Sequence, residues 1–335
     1  MSLPIDGAQK TLRECVTLSG TGVHSGKPVT MIIGPADADT GILFSRTDMV
    51  GRNGFDIAAV RSAVASTRRC TVLGDPNGVY VSTVEHLLAS LSALGVDNAL
   101  IEIDGAEVPV MDGSAVAFVE AIDNAGLMVQ SARRRFIKVV KPVRVKIDDA
   151  FAEFRPHEGA HNGRRLEIEI DYACGVIGRQ MLAIDLTAHS FRRDIARART
   201  FGHMKDVERL WEAGLALGSS LENTIVIGED AIVNPEGLRW ADEFVRHKVL
   251  DVIGDLALAG APIIGLYRSY KGGHKLNAEA LGMLLSRKDA FEMVTAPAAG
   301  ARKRGRLKAL GDSRGKSRGE ALPGILAPAF APDVS

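Results

Sequence analysis

The strongest constraint on this chain is an order of patterns that occurs twice: strand-like segments first, then amphipathic helices. In the first pass VTLSG, VTMIIG and GILFSR alternate or cluster apolar residues between turn signals. A helix then begins near Ser82, where Val84, Leu87, Leu88, Leu91 and Leu94 share one face of a 3.6-residue period. Gly95 closes it, NALIEID reads as a strand, and residues 115–125 form a second helix closed by Gly126. After the basic break SARRRFIK a new strand series follows: IKVVKPVRVKI, FAEFRP, RLEIEIDY and MLAIDL. Helical patterns return at residues 204–213 and 242–259, and APIIGLYRSY is a strand. Asn277 opens a last amphipathic helix through Leu281, Leu284, Leu285 and Phe291. Segregated strands and helices predict an α+β fold, and their recurrence predicts two similar domains, each a sheet packed with helices in two layers. The boundaries fall at residues 1–133 and 134–298. Residues 299–335, basic and then rich in Ala and Pro, read as a disordered tail.

Composition excludes several function classes. A length of 335 residues is too great for one small core and suits two domains. The 41 basic and 41 acidic residues cancel, so no overall field steers the molecule toward nucleic acid. The basic tail offers the one contact for an anionic membrane or an RNA, and a solvated, inert tail is the favoured reading. Cys15, Cys70 and Cys174 form no CxxC pair, which rules out a Cys-only zinc site and fits a reducing compartment. The start MSLPIDGAQK has no apolar signal core. The longest apolar stretch, residues 249–265, is interrupted by Asp251 and Asp255. A cytoplasmic protein is expected.

The helix ADEFVRHKVLDVIGDLALAG carries the first chemistry. Its core stripe is Val245, Val249, Val252, Ile253, Leu256 and Gly260, while His247, Asp251 and Asp255 stand four residues apart on a line roughly opposite. A solvated polar face is the ordinary reading of such a line. Phe244 and Leu258 on that same face argue against open water. His and Asp one turn apart reach one metal ion from a single helix, and two His plus a carboxylate is a hydrolytic set that leaves a position for water. A third ligand must come from elsewhere, and STVEHLL offers His86 in a first helical turn, off the leucine stripe. Beside it, Glu85 suits the base that an acidified water needs. Ser82-x-x-Glu85 equally matches a capping box, in which Glu only satisfies backbone N–H groups. In YKGGHKLN, the diglycine Gly272–Gly273 releases His274 and Lys275 from a loop just before the Asn277 helix. A loop His there is either an acid or merely exposed. GTGVHSGK resembles a phosphate loop, but Thr21 and Pro28 break the Walker pattern and Ser25 breaks the dinucleotide fingerprint.

Taken together, GTGVHSGK, STVEHLLASLSALGVDNALIE, PVMDGSA, ARTFG, GLALGSSLENTIV, EFVRHKVLDVIGDL and GGHKLN resemble the UDP-3-O-acyl-N-acetylglucosamine deacetylase family, the zinc amidases of lipid A synthesis. The match runs in the family's order from about residue 11 to 296 and stops before the tail. The resemblance implies zinc ligands His86, His247 and Asp251, with the active site at the domain interface. It implies Glu85 as general base, His274 as general acid or charge stabiliser, and Asp255 as the group orienting that His. Lys248 and Thr200 match residues near the reacting carbonyl, and Phe201 and Lys271 match residues that hold substrate. Cys70 matches a thiol near the metal, without a ligand role. GVIGRQMLAIDL and GLALGSSL have the apolar, small-residue character of an acyl slot, which core packing explains equally well. Zn2+ is the implied cofactor, with Fe2+ also compatible with these donors. The implied partner is the small-molecule UDP-acyl-sugar, handled by a monomer, with no nucleic acid and at most a transient contact with a membrane surface. The rival readings are a zinc amidase for a different N-acyl substrate and a protein that keeps zinc for structure alone. The second would need a closed fourth ligand, for which only Cys70 is at hand.

Overall fold

The computed structural model describes residues 7–49, 56–157 and 163–296; the tail expected at 299–335 lies outside them. Strands and helices segregate as an α+β fold requires. One five-stranded sheet has the order Val16–Thr21, Pro28–Pro35, Ala99–Ile103, Ile42–Arg46, Asp56–Ala58. The pair Ala99–Ile103 and Ile42–Arg46 is parallel, and the other neighbours are antiparallel. A seven-stranded sheet is centred on Ile263–Tyr270, which pairs with Ala150–Arg155, Arg164–Asp171 and Arg135–Val139. Alternation builds both faces. Val29, Met31 and Ile33 point inward from one strand, and Leu166, Ile168 and Ile170 from another, while their neighbours are more exposed.

Six α-helices occur among the described residues: α1 Glu85–Leu94, α2 Val116–Ala125, the single turn α3 Ala188–Ser190, α4 Val207–Glu212, α5 Glu243–Ala257 and α6 His274–Ser286. The two that matter most are not ordinary surface helices. Nine residues of α1 and twelve of α5 are buried, polar side chains included. Leu87, Leu88 and Leu91 of α1 and Val249, Leu250 and Ile253 of α5 enter one continuous apolar core. Burial of each such side chain contributes about 1.5–3 kcal/mol. A polar group in that setting must find a partner, because an unpaired one costs about as much as a leucine gains.

Gly254 sets how closely the two helices approach. A Cβ there would stand 2.0 Å from the Glu85 carbonyl oxygen, so α5 presents bare backbone to the start of α1. Gly95 ends α1 in the left-handed region at φ 80°, and its N–H returns to the carbonyls of Leu91 and Ser92.

Three expectations need correction. Ser82 and Glu85 form no capping box: the residue before α1 is Val84, without a side-chain cap, and Ser82 Oγ donates to the Ala106 carbonyl. The last helix begins at His274, with Gly273 as its extended N-cap, so His274 sits in the first turn and Asn277 inside it. Gly273 lacks the side chain that would have advertised a start. Phe291 lies in the strand Phe291–Thr295, opposite Val139, because pairing with Arg135–Val139 overrides the helical spacing.

Candidate metal centre

Burial of α1 and α5 side by side leaves their polar residues facing one another. His86, His247 and Asp251 each offer a ligand atom, all within 4.8 Å of one another, and they are the one such group among the described residues. Asp251 Oδ1 lies 3.6 Å from His86 Nε2 and 3.4 Å from His247 Nε2, and the two rings meet edge to face at 5.0 Å. All three are buried.

The surroundings prepare these groups as ligands. His247 Nδ1 donates to the Ala198 carbonyl at 3.0 Å, which leaves Nε2 as the free, basic nitrogen. Burial drives the His247 pKa down to about 3, so its imidazole is neutral at physiological pH. Burial opposes the charge on Asp251, yet Lys248 and His247 outweigh it and hold the carboxyl well below its usual range. Lys248 Nζ donates to Asp251 Oδ2 at 2.7 Å, so one carboxylate oxygen is claimed and the other faces the imidazoles. Two imidazoles and an ionised carboxylate, without a thiolate, form the donor set of an open metal site. The residues present therefore fit a divalent ion.

A second cluster lies beside the first. Glu85 Oε2 accepts from the Thr71 N–H at 3.1 Å, and Oε1 lies 3.6 Å from His274 Nε2. His274 Nδ1 meets Asp255 Oδ2 at 2.9 Å. Asp255 is itself fastened: the Thr71 hydroxyl donates to Oδ1 at 2.6 Å, and the Asn277 amide donates to Oδ2 at 2.8 Å. Tyr267 in turn donates to Asn277 Oδ1 at 2.7 Å. Burial works against a charge on His274, but Asp255 and Glu85 outweigh it and raise its pKa to about 10. Burial raises Glu85, against the pull of His274 and His86. The cluster is thus a carboxylate made more basic by burial beside an imidazolium that holds its proton tightly.

The remaining sequence-derived residues divide. Phe201 lies against the metal side, with its ring 4.9 Å from Phe244 and 6.1 Å from His247, and Lys248 Nζ 5.3 Å above it. Thr200 precedes it, two residues after the carbonyl that orients His247, and its backbone N–H donates to Gly113. Lys271, three residues before His274, is bound by Asp149 at 2.7 Å and Asp171 at 3.6 Å. Cys70 is buried, and burial and Glu85 push its thiol up to about 12, a neutral group.

The sequence reading missed Thr71, Asn277, Tyr267 and Gly254. Thr71 and Tyr267 carry no local pattern, and Asn277 reads as a helix opener. Another missed group is Glu107, which accepts from the His24 and Ser25 N–H groups and from the Thr83 hydroxyl, and so ties the GTGVHSGK turn to the approach of α1.

The family model described as UDP-3-O-acyl N-acetylglycosamine deacetylase matches residues 9–286. Proteins named UDP-3-O-acyl-N-acetylglucosamine deacetylase from Brucella ovis, Brucella canis and Brucella melitensis are each 53% identical over 289 residues. That span covers 86% of this chain and 99% of each relative.

Proposed function

The chain belongs to the UDP-3-O-acyl N-acetylglycosamine deacetylase family, and we propose that it hydrolyses the N-acetyl group of UDP-3-O-(3-hydroxyacyl)-N-acetylglucosamine in lipid A biosynthesis. The products are acetate and the free glucosamine amine. The observation that carries this reading is the pair of clusters on α1, α5 and α6, a metal-ligand set beside a base and a protonated imidazole.

His86, His247 and Asp251 would hold zinc, which would supply a Lewis acid and lower the pKa of a water to about 7. Glu85, buried and raised in pKa, takes the proton of the attacking water. The Thr71 N–H steadies one of its oxygens, so the other is the basic one. Lys248 and the Thr200 hydroxyl serve the developing oxyanion, an effect of about 2.7–4 kcal/mol per donor in related sites. Protonated His274, held by Asp255, delivers its proton to the glucosamine nitrogen as the C–N bond breaks. Phe201 and Lys271 hold the substrate, with Lys271 exchanging Asp149 for a phosphate oxygen of UDP. Among the described residues no helix is long and apolar enough to cross a membrane.

The test is acetate release from UDP-3-O-acyl-N-acetylglucosamine by metal-depleted and zinc-restored protein. Restored protein that binds one equivalent of zinc should release acetate, and the depleted protein should not. Stoichiometric zinc binding without acetate release would overturn the reading. Ferrous ion in a parallel anoxic sample shows whether these donors serve both metals.

A further inference from the structure

Behind the two clusters, α1 and α5 run on into a cavity of about 510 Å3. Ser92 of α1 lines it, six residues and about 9 Å of helix beyond His86. Leu256 of α5 lines it as well, immediately after Asp255. Its volume lies within the range of small-molecule sites.

The charges around it do not balance. Arg134 is paired with Asp97 at 2.7 Å, and Arg135 has Asp39 at 3.9 Å. Arg164, partly buried on the cavity wall, has no carboxylate among the described residues. Its one hydrogen bond there goes to a neutral acceptor, Ser92 Oγ, at 3.2 Å. Neither does α1 supply a counter-charge, because the Leu91 and Ser92 carbonyls are already taken by the N–H groups of Gly95 and Val96. Burial and the neighbouring Arg134 cation lower the Arg164 pKa to about 10. A half-buried guanidinium with no counter-charge favours an incoming anion. The lining also includes the apolar side chains of Leu88, Leu91, Leu256 and Leu285.

We propose that this cavity is a second binding site, for a monoanionic amphiphile of the fatty-acid class. Its carboxylate forms paired hydrogen bonds with Arg164 and one with Ser92, and its hydrocarbon chain lies between the leucines of α1 and α5. One unpaired cation selects a single negative charge, and the planar fork of Arg selects a carboxylate. The inference is independent of the deacetylase reading, since it invokes none of the residues in the two clusters.

The test is calorimetric titration of zinc-loaded, full-length protein with dodecanoate below its micellar concentration. Dodecanoate should bind one to one, dodecanol at least tenfold more weakly, and acetate not measurably. Arg164→Met and Ser92→Leu should each weaken dodecanoate at least tenfold, and Arg164→Lys should retain part of the affinity. Arg164→Met removes an uncompensated cation, so its thermal midpoint should not fall below that of the parent. Phe201→Ala alters the substrate side and should leave dodecanoate binding unchanged. Two results overturn the site: full dodecanoate affinity in both Arg164→Met and Ser92→Leu, or loss of binding in Phe201→Ala alone, which places the amphiphile against the metal centre instead.

Discussion

Two histidines of this molecule sit at nearly the same depth and are driven in opposite directions. His247, on α5, is held neutral with its pKa near 3, whereas His274, at the start of α6, is held protonated with its pKa near 10. Burial alone would discharge both. The difference lies in how many carboxylates each ring can claim. His247 has the single carboxylate Asp251, which burial, reinforced by the neighbouring His86 and Lys248, outweighs. His274 stands between Asp255 and Glu85, and no Lys or Arg is bonded to either among the described residues. A second carboxylate therefore separates a proton donor from a metal ligand. The comparison also divides α1 between the two clusters, since the consecutive residues Glu85 and His86 serve different sides.

The harshest way to break the contrast is to remove the neutral ring. His247→Ala should abolish stoichiometric zinc binding and lower kcat/KM for acetate release by about 10³-fold or more, because the ligand set loses a third of its donors. Metal content by emission spectroscopy, beside the rate, checks it; retained zinc with an intact rate would sink the assignment. Glu85→Gln breaks the other side and should lower kcat by about 10²-fold or more while zinc stays bound, as expected for a lost general base. A variant that instead unfolds, with full activity per folded molecule, would return Glu85 to a purely structural role.

Gly254→Ala attacks the geometry common to both clusters. Its new methyl would meet the Glu85 carbonyl at 2.0 Å, so α1 must shift. The expected cost is about 1–3 kcal/mol of stability by denaturant titration, with a loss of kcat larger than the loss of zinc affinity. An unchanged unfolding midpoint would show that the helices separate freely.

The mildest probe only titrates the pair. In metal-free protein, NMR of the imidazoles should find His247 neutral down to about pH 3 and His274 protonated up to about pH 10. For His274 the folded value exceeds the free value of about 6.5. Its proton therefore stabilises the fold fully below about 6.5, and that stability is lost as pH rises through about 10. Zinc adds positive charge beside the cluster and should lower the His274 value. A metal-free His274 that titrates near 6.5 would remove the contrast altogether.

Much of the fold was legible because it rests on local periodicity. The leucine stripe predicts α1, and Gly95 its end, since both follow from 3.6 residues per turn and one left-handed cap. Helix α5 is equally plain, with His247, Asp251 and Asp255 spaced one turn apart. Where the reading failed, a non-local partner decided. Phe291 keeps helical spacing but joins a strand opposite Val139, and Glu85 fits a capping box but turns instead to the Thr71 N–H and to His274.

The sequence by itself determined which residues line each helix and that α5 carries a line of metal-capable and proton-capable groups. The resemblance to a family chose His86 among eight histidines, which spacing could not do. Only the tertiary structure decided that Glu85 and His86 diverge into two clusters, that Thr71 and Asn277 fasten Asp255, and that Arg164 lines a cavity with no carboxylate paired to it among the described residues. The reason is physical. Periodicity depends on neighbours a few residues away, whereas the charge state of a buried group depends on whatever the packing brings within a few ångströms, and here those groups come from up to 203 residues away.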